Sequence, residues 1–522
     1  MQGARADEVM MELSAEWSEP PPPGLFDGVL AAGRVRTEVA DTAWVRALLD
    51  AEAALARATA TAGLADAADA EAVARACATL DVDIAAVGAE AAATGTPVVP
   101  LVQRLRAALS GSAADLVHRG ATSQDIVDTA AMLVARRALG PLLDDLGAAA
   151  DRAAALAGEH RATPVAGRTL LQQALPTTFG LIAAGWAGGL DAARRQLTQV
   201  RDHRLAAQLG GAVGTLAGFN PTDREAAPAN RETAPAGRET APAAGKTAPT
   251  GHETAPTGHE ATPAAAETAP TGHDTAHTGD EAPPAGSAGR ARATGALTLV
   301  AAYSAELGLA EPALPWHTER TRIAELAGAL GTAAGAIGKV ARDVTLHAQT
   351  EVGELSEGGG GGGSSTLPHK HNPIHAISAA AAATTTPGLV ASVLAAMPQD
   401  YQRAAGAWHA EWQPLRALLV AAGSAAYRIR VCLEVLEVHA DRMRANLDVT
   451  HGALLAERVA GALRPVLGAG AHDVVRAAVL RGDLTTDPAI TAHLGPDELA
   501  RLLDPAGYLG SARALVDRAL DR

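Results

Sequence analysis

Long apolar stripes with three-to-four spacing run through most of this chain. Trp412, Leu415, Leu419, Ala422, Ala426, Ile429 and Leu433 make one, and Ile337, Val340, Ala341, Val344 and Ala348 make another. Such spacing lays one apolar face along an α-helix. Trp44, Leu48, Ala51 and Leu55 start the pattern near the N-terminus. Alternating Val, Ile and Thr runs, the mark of a sheet, are almost absent. Aromatics are only 2% of the 522 residues against 48% apolar. The helices must therefore pack through alanine and leucine, both strong helix formers. Stripes of this length belong to bundles, so the expected fold is all-α.

Residues 221–290 break the pattern. They repeat a Glu-Thr-Ala-Pro-Thr-Gly-His-like unit roughly every seven residues, without Val, Ile, Leu, Met, Phe, Trp, Tyr or Cys. Such a segment cannot bury enough apolar surface to offset its ordering entropy, so a disordered low-complexity insert is expected. Its histidines, among them His252, His259 and His273, read as solvated rather than as a metal tract. Residues 1–24 read as a disordered lead ending in prolines, and Met10 or Met11 is an alternative start. The formal net charge of −15 disfavours nucleic acid and anionic membrane as partners, though a local pocket can still be basic. Cys77 and Cys432 lie far apart without metal spacing, which points to a reducing compartment. No stretch reads as a signal peptide or membrane span, so the cytoplasm is expected.

The most informative stretch is Gly358–Pro373, GGGGGGSSTLPHKHNP. Six glycines make a mobile tether, and glycine-hinged loops often close over active sites. A bare linker has no reason to end in Pro368, Lys370, Asn372 and Pro373. The segment resembles the signature loop of the fumarase/aspartase superfamily, with Leu367 where methionine is usual. The resemblance implies that Ser364 is the catalytic acid/base. It implies that Lys370 holds a carboxylate and the enolate-like charge, and that Asn372 fixes either substrate or the closed loop. Moving a proton beside a carboxylate requires a positioned base and preorganised positive charge, which is what such a loop supplies.

Two further blocks are similar to the same superfamily. In His118–Asp125 the resemblance implies that Thr122 and Ser123, with Gln124, bind substrate carboxylates; Thr122 and Ser123 also suit a helix cap. Asp125 and Asp128 read as backbone-orienting groups. In Gly167–Gly180 the resemblance places Thr169 and Gln172 at the substrate. Many members carry a proton-transfer histidine after that threonine and a glutamate seven positions after the loop lysine. Here those positions are Leu170 and Ile377, so both halves of the pair are missing together. The 3-carboxy-cis,cis-muconate cycloisomerase branch also lacks the histidine. Pro315–Arg320, Arg403–Trp412 and Leu503–Gly510 resemble that branch. They add Trp316, His317, Arg320 and Arg403 as substrate-binding candidates, and His317 and His409 as alternatives for the missing proton-transfer group. Trp316, Trp408 and Trp412 equally suit core packing, and Arg320 equally suits an ion pair.

The resemblance further implies three helical domains with a central long-helix bundle: residues 25–121, 122–435 and 436–522. It implies a homotetramer with shared active sites, a small polycarboxylate substrate, and no metal or organic cofactor. The expected reaction is cycloisomerisation of 3-carboxy-cis,cis-muconate. A lyase releasing fumarate from a substituted succinate, or an inactive structural relative, is the alternative.

Overall fold

The computed structural model describes residues 24–219, 287–358, 362–363 and 366–521. The lead, the insert up to residue 286 and Ser364 itself lie outside the described residues. The architecture is helical, as the stripes predict. Seven long helices carry it: α1 Asp41–Thr61, α2 Ser123–Glu159, α3 Phe179–His203, α4 Ser287–Leu307, α5 Thr321–His347, α6 Ile374–Ala395 and α7 Ala407–Glu434. Helices α2, α3, α5, α6 and α7 pack on one another as the bundle, and α1 lies against α2. Alanine makes this close packing possible. Ala130, Ala135, Ala138, Ala334, Ala341, Ala379 and Ala425 are all buried at helix contacts. At Gly423 a Cβ would come within 2.5 Å of the Val35 side chain, so only glycine admits that approach.

Start signals are chemical and local. Thr122 and Asp125 form a capping box at the start of α2, and Thr178 Oγ1 accepts the Leu181 N–H at 3.1 Å to cap α3. The core is continuous across both expected domain boundaries. Residues from Val35 to Met443, with Val516, belong to a single apolar cluster, so the helices before Ala121 share a core with the bundle. Val459–Leu499 build a second, smaller cluster near the C-terminus. Helices α5 and α6 are long and apolar enough to cross a membrane, which the sequence reading did not pick out. Both pack within the bundle here, although only a third of the most apolar window of α6 is buried.

Two short antiparallel ladders were also not anticipated. Strands β1 Pro164–Thr169 and β2 Gln172–Thr178 form a hairpin in which Thr169 pairs Gln172. Its two-residue tip is Leu170 and Leu171, both at positive φ (51° and 66°). A tight hairpin turn of this kind needs that backbone, normally supplied by Asn-Gly. Strands β3 Leu355–Glu357 and β4 Leu436–Val438 form the second ladder.

Candidate active site

The expected site residues fall into two groups at opposite ends of the bundle. At the first end, Asp125 organises the backbone. Its carboxylate accepts from Thr122 N–H, Gly210 N–H and Gly211 N–H, each at 2.9 Å, and lies 2.7 Å from His317 Nε2. The chain around Thr122 is thereby fixed to the segment before the insert and to the segment before α5. Three residues on, Asp128 accepts from Arg320 (2.7 and 3.0 Å) and from Trp408 Nε1 (2.9 Å). Arg320 also donates to Glu411 on α7, at 2.6 Å. Burial works against the Arg320 charge, but Asp128 and Glu411 more than offset it and raise its pKa further. Two carboxylates share that one guanidinium, and burial together with the Asp128 charge pushes Glu411 up.

This network engages four of the expected substrate contacts. Gln124, Trp316, His317 and Arg320 are each at most 4% exposed. Gln124 Nε2 donates to the His317 carbonyl at 2.7 Å, and Trp316 Nε1 to the Ala207 carbonyl at 2.9 Å. His317 is engaged by Asp125, and Arg320 by its two carboxylates. A polar head already bonded inside the protein cannot turn to a ligand without leaving a buried partner unsatisfied. Within one chain these four are held by internal bonds, and Gln124 Oε1 is buried with no partner among the described residues. His409 is exposed and lies 3.0 Å from the Gly95 carbonyl. What reaches the surface is Thr122, Ser123 and Arg403. The Arg403 guanidinium donates to the Thr122 hydroxyl and sits 5.9 Å from the Trp408 ring centre. Sequence reasoning named both partners, and the fold brings them together.

The second end carries the hairpin and the glycine loop. Glu354, wholly buried, accepts two bonds from Arg168 (2.7 and 2.9 Å), one from Asn446 (2.7 Å), and lies 2.6 Å from His347 Nδ1. Burial alone would raise its pKa, yet His347, Arg168 and Asn446 hold it at about 2. Glu354 thus ties the tip end of β1, at Arg168, to the strand that leads into the loop. Glu357 closes the loop from the other side, because its carboxylate accepts the N–H groups of His375 and Ala376 at 2.9 and 2.7 Å, at the start of α6. Inside that ring, the Gly362 carbonyl accepts both the backbone N–H and the Nδ2 of Asn372, at 3.0 and 2.8 Å. Gly362 has φ +78°, and a Cβ there would fall 2.1 Å from the Asn372 carbonyl oxygen. Asn372 is thus bonded within the loop through both its backbone and its side chain. Lys370 is exposed at a turn closed by its N–H on the Leu367 carbonyl, at 2.9 Å. Thr169 and Gln172 are exposed beside the hairpin tip, where Leu170 is 97% exposed.

Two helices measure the separation. α5 starts beside Arg320 and ends at His347, and α7 starts beside Arg403 and ends where the Val435 carbonyl accepts the Gly358 N–H. With 27 and 28 residues, each spans about 40 Å. Thr122 and Arg403 therefore stand about 40 Å from Lys370 and Thr169 within one chain, far more than a small substrate bridges. His118 heads the same block as Thr122, and sequence reasoning assigned it no role. Its Nδ1 lies 2.6 Å from the buried Glu52 carboxylate, 66 positions away in the chain.

A family model described as Lyase matches residues 30–236 and 285–387. The chain is 39% identical to a nitrosuccinate lyase of Streptomyces davaonensis, over 98% of this chain and 97% of that one. It is also 39% identical to a 3-carboxy-cis,cis-muconate cycloisomerase of Pseudomonas aeruginosa, over 96% of this chain and 97% of that one. The crystal structure of a 3-carboxy-cis,cis-muconate lactonizing enzyme from Pseudomonas putida superposes with a TM-score of 0.76 at 35% identity, covering 95% of this chain and 98% of the other.

Proposed function

The chain belongs to the fumarase/aspartase family of lyases, and on that footing we propose that it is a cytoplasmic 3-carboxy-cis,cis-muconate cycloisomerase forming 4-carboxymuconolactone in protocatechuate catabolism. In this reaction a substrate carboxylate oxygen bonds to one alkene carbon. The π pair moves toward the neighbouring carbon and into an adjoining carboxylate. A proton from the Ser364 hydroxyl then completes the new C–H bond. Lys370 neutralises the charge that accumulates meanwhile, and Thr122, Ser123 and Arg403 hold the remaining carboxylates.

The observation that carries this reading is Leu170. It stands fully exposed at the hairpin tip, where related lyases place a proton-transfer histidine, and its side chain can move no proton. An attacking or departing carboxylate has a low pKa and needs no strong acid, unlike a departing amine. Similarity to cycloisomerases along nearly the whole chain supports the same choice.

The match to a nitrosuccinate lyase favours one second reading. There a C–H proton would be removed, the C–N bond would break, and nitrite would depart with the bonding pair, leaving fumarate. Nitrite is a weak base and also needs no acid at position 170. Incubating the purified protein with each substrate separates the readings. Carboxymuconate loses its conjugated diene absorbance on lactonisation, whereas nitrosuccinate releases nitrite and fumarate. Cleavage of nitrosuccinate with carboxymuconate untouched refutes the cycloisomerase reading. Ser364→Ala should abolish turnover of whichever substrate reacts, and wild-type turnover in that variant would remove the serine from the mechanism.

The site is complete only in an assembly, a homotetramer with active sites shared between copies. Its two ends stand about 40 Å apart in one chain, so a second copy must supply the loop to the Thr122–Arg403 end. The exposed apolar window of α6, only a third of it buried, supports this, together with an apolar groove lined by Leu30, Leu389 and Val420. Leu170 and Leu171 point the same way, because left-handed backbone costs about 1–2 kcal/mol per residue, and in one chain both side chains meet solvent.

A further inference from the structure

The segment Leu503–Gly510 has no part in the chemistry above. It passes through a 3-10 turn, Pro505–Gly507, into a helix, Ala512–Leu520. That helix packs on α2, α3 and β2. Between β2 and this segment lies an open pocket of about 720 Å3. Leu175 and Pro176 of the hairpin line it from one element, and Gly507, Tyr508, Gly510 and Arg513 from the other. No acidic residue lines it, in a chain of net charge −15.

Arg513 gives the pocket its charge. It is exposed, and neither an ion pair nor a hydrogen bond engages its guanidinium among the described residues. The flanking acids in the sequence are already taken: Asp504 pairs with Arg444, and Asp517 with Arg161 just past α2. Arg513 also stands in the first turn of its helix, which holds no acidic residue. The peptide dipoles there already present positive ends, so a cation adds to the potential instead of offsetting it. Arg458 adds more. Its guanidinium is 5.4 Å from the Tyr508 ring centre and donates to the Arg501, Leu502 and Asp504 carbonyls, with no carboxylate partner among the described residues.

We propose that this pocket is a binding site for a small planar carboxylate, with the anion on Arg513 and the flat body against Tyr508 and the Leu175–Pro176 wall. An unpaired guanidinium in an acid-free pocket calls for an anion, and it offers a carboxylate two parallel N–H donors. Leu175, Pro176 and the Tyr508 ring present apolar surface, which suits an unsaturated or aromatic body. A hydrated inorganic ion gains nothing from those walls. The site is distinct from the one that holds Thr169 and Gln172. Leu175 lies three residues along β2 from Gln172, about 10 Å in a strand, and side chains three apart point to opposite faces.

The test is calorimetric titration of the full-length chain with benzoate, cis,cis-muconate and inorganic phosphate. Lys370→Ala serves as the parent, because its loop has lost the cation of the proposed active site. Benzoate and muconate distinguish an aromatic acid from an open-chain one as the source of the planar carboxylate. At least one of them should bind the parent, one per chain. Adding Arg513→Gln should weaken it about tenfold, the value of one charge-assisted hydrogen bond. Arg513 is exposed, so Tm should stay the same. Leu175→Glu, which places a carboxylate in the pocket, should abolish the same binding with Tm retained. Equal binding with and without Arg513, or no binding of either carboxylate to the parent, overturns the site. Phosphate that binds as tightly as the carboxylates overturns the ligand class. The readout needs no turnover, so it stands whether or not the cycloisomerase and lyase readings fail.

Discussion

The separation of the two ends makes a quantitative demand on mixed assemblies. Arg403→Ala removes the cation at the first end, and Lys370→Ala removes the cation of the loop. Alone, each should lower kcat/KM by roughly a hundredfold, the usual cost of deleting one charge-stabilising donor. Within a chain the two lesions are about 40 Å apart, the length of α5 or α7. If every site takes its Arg403 end from one copy and its loop from another, a mixture of the two inactive proteins contains intact sites. With equal amounts and random assembly, the first end is intact in half the sites and the loop in half of those. About a quarter of wild-type activity should return after co-refolding. Thr122→Ala mixed with Arg403→Ala is the control. Both lesions lie at the same end, joined by the Arg403–Thr122 hydrogen bond, so every site keeps one of them and no activity returns. Differently tagged subunits confirm that hybrids have formed. Verified hybrids that stay inactive would refute the shared site, and equal recovery in the control would show that the ends are not the functional units.

Three further outcomes follow from local geometry. Glu354 is held at about 2 in the folded chain, well below an unfolded glutamate. Its stabilisation is full above the unfolded pKa and lost as pH falls from about 4.5 to about 2, so Glu354→Gln should cost about 3 kcal/mol at neutral pH and flatten the acid limb of a Tm–pH curve; an unchanged acid limb would count against the buried network. Gly362→Ala places a Cβ against the Asn372 carbonyl, so kcat should drop steeply with Tm nearly unchanged, and full activity would mean that the loop base is not required. Deleting residues 221–286, a cut that stops before α4 begins at Ser287, should leave Tm and kcat close to wild type; an unfolded or inactive product would make the insert part of the enzyme.

The helices were legible because their cause is local. Three-to-four spacing and alanine content act along one segment, and the long helices appear where the stripes are. The hairpin was not legible, because Leu-Leu is a poor turn sequence. Its positive φ values are imposed by the pairing of Pro164–Thr169 with Gln172–Thr178, not by the preference of either leucine. At the site, motif positions could be located, but their roles depend on which polar atoms are already engaged. Thr122 and Arg403 kept the exposure that an anion contact needs. Gln124, His317 and Arg320 stand in the same blocks and are spent on Asp125, Asp128, Glu411 and backbone carbonyls. No spacing rule separates those cases, because their partners lie far off in the chain, as Glu52 lies from His118.

That limit also explains why residues of one reaction sit in three distant blocks. The first block opens α2, the second follows the far end of α2, and the third precedes α6. The helices α5 and α7, which run from the first block's end of the bundle to that of the other two, keep them about 40 Å apart. Within one chain the glycine tether starts and ends at the far end of the bundle, where the Gly358 N–H donates to the Val435 carbonyl and Glu357 accepts the His375 and Ala376 N–H groups. In the shared site proposed above, that rigidity sets the blocks for assembly: a second bundle laid antiparallel beside the first would bring its loop end to the other's Thr122 end. The shared site proposed above therefore predicts that a variant that folds with all its helices but stays monomeric turns over no substrate.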